Sequence, residues 1–386
     1  MPGTSYHSLH HFISDGKWDA RPVIDHTAGL VSRSLPKTKL TGFLVDETGT
    51  VKKGNKTVGV ARQYCGNVGK IANSQVSVIG SLSNGDFSSI VDARLYLPES
   101  WCNDPDRCDK AGIPIEKRIF KTKTQIALDM IKHQASLGTT FDYVGGDAVY
   151  GSDMHLGTEI DRLGYVFMMD VRKSQRIFLQ RPEVVYSGER KPSIQGIKAE
   201  QYCEQLDDPD WKYIEVRNTA KGVLKAHFHF VRVYVWDSVE QDIKQRMLVI
   251  RRTAKREGYE YKYSLTNAEP VQYTEKAMAY MQAQRYFVEH NIKESKQVFG
   301  MSEYQTRKWQ AWEHQVAINI MVMGFMLKEK LISFNEVPLL SARDIREWIG
   351  HFLMKERSDE DLVELMIERH KRRQTAINQQ HLKDTG

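Results

Sequence analysis

The chain has 386 residues, 55 Lys and Arg against 49 Asp and Glu, a net charge of +6 and 41% apolar residues. That length suits two or three packed units, and the apolar share is enough for a real core, which excludes a disordered or fibrous chain. No apolar run approaches the about 20 residues that a membrane helix needs, and the opening MPGTSYHSLHHF has no apolar stretch of signal-peptide type.

The four cysteines, Cys65, Cys102, Cys108 and Cys203, are scattered, and the Cys102–Cys108 spacing is not a usual zinc pattern. They read as reduced thiols of a cytosolic protein. The mildly basic balance permits a polyanionic partner without requiring one. Basic residues gather in 172–193, 244–256, 291–308 and 368–373. On composition alone these are solvated faces.

Taken in chain order, 40–46 (LTGFLVD) is an apolar run that reads as a buried strand ending in a turn at Glu47-Thr48-Gly49. Segments 76–82 and 87–97 flank Asn84-Gly85, a hairpin signal, and Pro98 stops the second of them. In 124–137, Ala127, Leu128, Ile131 and Ala135 share one helical face, and Gly138 can end the helix. Residues 141–145 form a short strand. Ser152 can cap a helix carrying Leu156, Ile160 and Leu163, closed by Gly164, before another buried strand at 165–171. From 172 to 270 the texture is β-rich, most plainly in KAHFHFVRVYVW (225–236), 245–252 and 259–265. A long helix spans 275–299, and 302–375 is mostly helical, broken near Pro338.

Three strands followed by helix, strand, helix, strand predict an α/β fold whose later strands pair in parallel. This order resembles the ribonuclease-H-like fold, a mixed sheet flanked by helices, here with a β-rich insertion and a helical C-terminal part. The expected division is an N-terminal helical segment (1–37), the first part of a catalytic domain (38–171), the insertion (172–270), the rest of the domain with the glutamate helix (271–330) and a helical basic C-terminal region (331–386).

Acids at the ends of buried elements are costly unless they have a purpose. Asp46 ends the first strand, and Asp147 follows FDYVG. If the first and fourth strands lie side by side, the two aspartates meet; taken singly, each is more readily a turn or cap residue. On the 275–299 helix, Arg285, Glu289, Ile292, Lys296 and Phe299 follow steps of four, three, four and three and so share one face. Charges among apolar residues are unusual on a solvated stripe. The plainer alternative is an ion-paired stripe with Glu289 between two cations.

The segment Arg285-Tyr-Phe-Val-Glu289 with Lys296 resembles the Arg-Glu-Lys part of the Tyr-Arg-Glu-Lys signature of bacterial insertion-sequence transposases of the DDE class. Further segments resemble that family in order: SLHHFISDGKWD, FLVDETGTVKKGNKTVGVARQYCGNVGKIANSQVSV, RLYLPESW, YVGGDAVYGSD and GMSEYQTRKWQAWEHQV. Together they cover about residues 6–325. The resemblance implies Asp46, Asp147 and Glu289 as a metal-binding and catalytic triad, holding Mg²⁺ (Mn²⁺ as a substitute), two ions roughly 3.5–4 Å apart. It also implies DNA contact or site support from Arg285 and Lys296, with Lys293 and Arg307 in the same basic stretch. The signature's Tyr falls on Gln282, with Tyr280 and Tyr286 out of register. The start of the chain looks short for the family, so a separate N-terminal DNA-binding element is expected to be missing or reduced.

The implied reaction is metal-assisted cleavage at element ends followed by transfer of the 3′-hydroxyl into target DNA. The partners would be double-stranded DNA and a second copy of the chain, in the bacterial cytoplasm and on the nucleoid, with no membrane. The alternatives are a non-cutting, DNA-binding transposase derivative and a ribonuclease-H-like nuclease without strand transfer. A hydrolase acting on a non-nucleic substrate leaves the Arg-Glu-Lys helix and the basic clusters unaccounted for. In the insertion, Trp211 and Trp236 are candidates for stacking on a base and more readily core residues. The same holds for Trp309, Trp312 and His314, while His7, His10 and His11 read as a solvated helix face.

Overall fold

The computed structural model describes residues 6–353 except 220, 221, 304, 338 and 339, with scattered positions between 360 and 378. Two helices open the chain, α1 (Tyr6–Ser14) and α2 (Ala20–Ser34), the second capped by Asp19. The first strand, β1 (Gly42–Val51), pairs antiparallel with β3 (Lys70–Asn84). It does not stop at Asp46. Glu47, Thr48 and Gly49 stay extended because β3 supplies a partner to each of them, Val78, Ser77 and Val76. The short β2 (Ala61–Cys65) pairs with the beginning of β3, and β4 (Phe87–Leu95) pairs with the rest across the turn at Gly85, whose φ is 64°. That left-handed conformation suits glycine, so the hairpin read from Asn84-Gly85 is present.

After α3 (Glu99–Cys102), α4 (Pro105–Ala111) and α5 (Lys123–Ser136), the chain forms β5 (Tyr143–Gly146), α6 (Ala148–Gly151), α7 (Met154–Arg162) and β6 (Val166–Val171). Strand β5 runs parallel to both β1 and β6. The resulting order, β4-β3-β1-β5-β6, is antiparallel on one side and parallel on the other. This is the mixed sheet of the ribonuclease-H-like arrangement expected from the element order. Helix α7 is capped by Asp153 rather than by Ser152.

Two short pairs follow, β7 (Arg176–Ile177) with β10 (Ile197–Lys198) and β8 (Val184–Ser187) with β9 (Glu189–Pro192), then α8 (Ala199–Cys203). Four longer strands, β11 (Lys212–Thr219), β12 (Gly222–Asp237), β13 (Asp242–Ala254) and β14 (Tyr259–Thr266), form an antiparallel meander. The last of these pairs with β6, Ser264 opposite Asp170, so the β-rich segment continues the central sheet to ten strands.

Strand alternation sends side chains to two cores. Leu44, Ile79, Tyr143 and Met168 face one way, against α9 (Glu275–Gln284), α10 (Tyr286–Val298) and α11 (Trp309–Ile332). Phe43, Val45, Val144 and Met169 face the other way, against α5 and α7. Trp309, Trp312 and Trp211 are core residues. His314 is buried between the carbonyls of Ile13 and Trp18 and stacks on the Trp18 ring. All four cysteines are free. No helix among the described residues is long and apolar enough to cross a membrane.

The chain divides into two compact units, Thr4–Leu340 and a second made of Met1–Gly3 with Ser341–Gly386. In the second, α12 (Ala342–Leu353) is the element described at length. The break read at Pro338 and most of the basic tail at 368–373 lie outside the described residues.

Candidate active site

Parallel pairing sets Val45 of β1 opposite Gly146 of β5, so Asp46 and Asp147 are the next residues on two adjacent strands. The chain leaves the sheet at Asp147, whose carboxylate accepts the Val149 amide at 2.9 Å and starts α6. It is therefore a cap and a cleft residue at once. Asp46 lies two residues beyond Leu44 and so faces the α9–α10 side of the sheet. Its Oδ1 accepts the Glu47 amide at 2.7 Å. Glu47, on the opposite face, pairs with Lys123 of α5.

Glycines allow this close approach. A Cβ on Gly151 would lie 1.9 Å from the Asp170 carbonyl oxygen, and one on Gly146 would lie 2.9 Å from the Met169 sulfur. The short helix α6 is thus pressed onto β6, and Asp147 with it.

The predicted 275–299 helix is two helices meeting at Arg285, where the backbone stays helical (φ −53°, ψ −28°). The junction separates a helix whose residues 278–284 are all buried from one with an exposed face. Arg285 donates from Nε to Asp170 Oδ2 at 2.7 Å and from Nη1 to Glu289 Oε1 at 2.7 Å. Asp170 also accepts the Ser264 hydroxyl at 2.7 Å, and Ser264 accepts the Gln282 amide at 2.9 Å. A continuous polar chain therefore runs from Gln282 through Ser264, Asp170 and Arg285 to Glu289. Lys296 donates to the Gly49 carbonyl at 2.8 Å, tying α10 to β1 beyond Asp46.

The electrostatics follow from crowding acids where water is scarce. Burial first, and then the charge of Asp147, pushes the Asp46 carboxyl up to about 7. Burial also raises Asp147. Burial works against the Arg285 cation, but Asp170, Glu289 and Asp46 outweigh it and hold the guanidinium above its usual value. Lys262 is lowered by burial and by its neighbour Arg285.

A cleft of about 710 Å³ is lined among others by Asp147, Asp170, Lys173, Lys262, Arg285 and Glu289, though not by Asp46. The acidic oxygens suit a hard divalent cation. Asp46 and Asp147 also carry the mark of such a site, two acids held together with their charges disfavoured. Among the described residues, no three His, Cys, Asp or Glu side chains stand together closely enough to hold a metal ion. Glu289 is paired with Arg285 instead, its side chain 51% exposed.

The remaining sequence candidates are dispersed. Lys293 is exposed on α10, one turn beyond Glu289. Arg307 is exposed and lines a different cavity, of about 560 Å³, with Trp101 and Arg107. Trp211 lies beneath the Arg252 guanidinium, 4.5 Å from its ring, and Trp236 is half-buried; neither lines the carboxylate cleft.

Residues 1–222 match the family described as DDE superfamily endonuclease. The chain belongs to that family. A relative from Microchaete diplosiphon, described as a probable transposase for insertion sequence element IS701, is 30% identical over 182 residues. That match covers 46% of this chain and 44% of the relative, so less than half of the relative's length is represented. The resemblance to insertion-sequence transposases of the DDE class is borne out by these two matches. The NurA nuclease from Sulfolobus solfataricus aligns over 92% of this chain and all of its own at 7% identity and a TM-score of 0.29, an overlap too weak to carry an argument.

For this DDE-family chain, sequence reading passed over Asp170, Ser264 and Gln282 as parts of the site. A signal for Asp170 was available: it is the charged residue in an otherwise apolar strand, VFMMDV.

Proposed function

We propose that the chain is a transposase that binds the ends of its element, cleaves DNA there and transfers the 3′-hydroxyl ends into target DNA. The observation that carries this reading is the Val45–Gly146 register, which sets Asp46 and Asp147 side by side on the face covered by the Arg285–Glu289 helix. Asp46 and Asp147, joined by Glu289 once it leaves Arg285, would hold Mg²⁺ or Mn²⁺. Divalent ions at such a site acidify an attacking water or hydroxyl and neutralise charge on the phosphate. The protein's own part is positioning. Lys296 anchors the helix to β1, and Lys293 and Lys262 offer cations to backbone phosphates. Hydrolysis breaks the bond between phosphorus and the 3′ oxygen and leaves a 3′-hydroxyl. That hydroxyl then attacks a target phosphate in line, forming a new phosphodiester as the target's own P–O3′ bond breaks and its 3′ oxygen leaves. Two ends must be held together, so the acting species is a homodimer on double-stranded DNA.

The Arg285–Glu289 pair favours a second reading, a derivative that binds DNA without cutting it. One experiment separates the two. A supercoiled plasmid carrying the DNA that flanks this reading frame is incubated with protein and Mg²⁺ or Mn²⁺, and the ends are mapped by sequencing. Metal-dependent breaks at the element's ends, reduced by at least about 10²-fold in Glu289→Gln, are expected. Intact plasmid with folded, DNA-bound wild type would support the non-cutting reading. Breaks that survive the substitution would mean that another acid holds the third position.

A further inference from the structure

Arg285 is shared between two carboxylates of different character. Asp170 is on a strand, 15% exposed, and held in place by Ser264, which is held in turn by Gln282. Glu289 is on a helix face, 51% exposed, and has Arg285 as its ion-pair partner. The proposed function needs Glu289 to leave Arg285 and join Asp46 and Asp147. Arg285 is itself 15% exposed, and a guanidinium so enclosed is costly to leave without a carboxylate. Asp170 removes that obstacle, because it remains on Nε when Glu289 lets go of Nη1.

We propose that Asp170 is a positioning residue that holds Arg285 in place and thereby lets Glu289 pass between its ion pair with Arg285 and the metal-holding set with Asp46 and Asp147. The proposal rests on the reading of Glu289 given above. The arrangement divides labour between the two acids. Asp170 cannot follow Glu289 towards the aspartates, since β6 and β14 fix it opposite Ser264. Without Asp170, Glu289 becomes the only carboxylate among the described residues bonded to Arg285, and any cation must compete with the guanidinium for it.

The test is Mn²⁺ binding followed by calorimetry on the full chain without DNA, which does not depend on turnover. Glu289→Gln is expected to weaken binding. Asp170→Asn, in the wild-type background, is expected to raise the Mn²⁺ Kd by about 10-fold or more, as for loss of other groups that orient metal ligands. In the Glu289→Gln background the same substitution should change the Kd by less than about 2-fold, because no Glu289 remains to be captured. Asp170→Glu should restore part of the loss. If Asp170→Asn unfolds the chain, Ser264→Ala replaces it: the charge stays, its hydrogen bond goes, and a smaller effect with the same dependence on Glu289 is expected. Equal weakening in both backgrounds, or none in either, would overturn the proposal while leaving the metal site standing. Mn²⁺ binding that ignores Glu289→Gln would overturn the reading of Glu289, and the proposal with it.

Discussion

Arg285 carries two demands that conflict in most settings. It must be enclosed enough to matter to its neighbours, and it must stay charged. Asp170 on Nε and Glu289 on Nη1 meet both demands, and they do so against burial. Replacing Arg285 by Met should therefore leave Asp170 as an enclosed anion without its cation. The expected cost is about 3 kcal/mol, at the low end for a broken buried pair because both side chains are still 15% exposed. Urea denaturation measures it directly. In the Arg285→Met, Asp170→Asn double variant the cost should shrink, since the stranded charge is gone. Equal stability of single variant and wild type would show that the pair contributes nothing. Gln282 belongs to the same story. It stands where the family signature has Tyr, and here its amide nitrogen supports Ser264 from beneath.

Among the elements, the four-residue helix α6 has the largest consequence for its size. Its cap is Asp147, and its last residue, Gly151, lies against the backbone of β6. A methyl group there meets the Asp170 carbonyl oxygen at 1.9 Å, a contact that no rotamer change relieves. Gly151→Ala should push α6 off the sheet and carry Asp147 with it. A loss of about 1–3 kcal/mol is expected from overpacking, along with weaker Mn²⁺ binding. A thermal melt and a Mn²⁺ titration indistinguishable from wild type would show that α6 does not set the position of Asp147. The helices α9 and α10 make a related point. Their junction at Arg285 allows residues 278–284 of the first to be buried while the second exposes Glu289 and Lys293.

At the scale of the whole molecule, net charge and sheet architecture act together. The ten-stranded sheet carries Asp46, Asp147 and Asp170 on or just beyond its three adjacent parallel strands β1, β5 and β6, and Lys262 of β14 lines the same cleft as Asp147 and Asp170. With a net charge of +6 for the chain, a polyanion would be drawn to it. If the proposed phosphate contacts are made, affinity for the element's ends should fall by about 10³-fold or more between about 50 and 200 mM salt. A filter-binding titration that stays flat across that range would sink the phosphate-contact reading.

The sequence by itself determined the order of the main strands and helices of the mixed sheet, the hairpin at Asn84-Gly85 and the strand on which Asp46 lies, but not β2, α3, α4 or the short α6 that Asp147 caps. The features it determined follow from short-range chemistry: apolar runs, glycine conformations and caps are written over a few consecutive residues. It also pointed to Arg285 and Glu289, because a helical repeat places them on one face. Only the tertiary structure decided that β1 continues past Asp46, since the strand's partner is β3, not its own neighbours in the chain. Likewise, only the tertiary structure drew Asp170, Ser264 and Gln282 into one network, through pairing of β6 with β14 and packing of α9 above them. Residues 94 apart, as Asp170 and Ser264 are, share no local pattern; what joins them is the sheet.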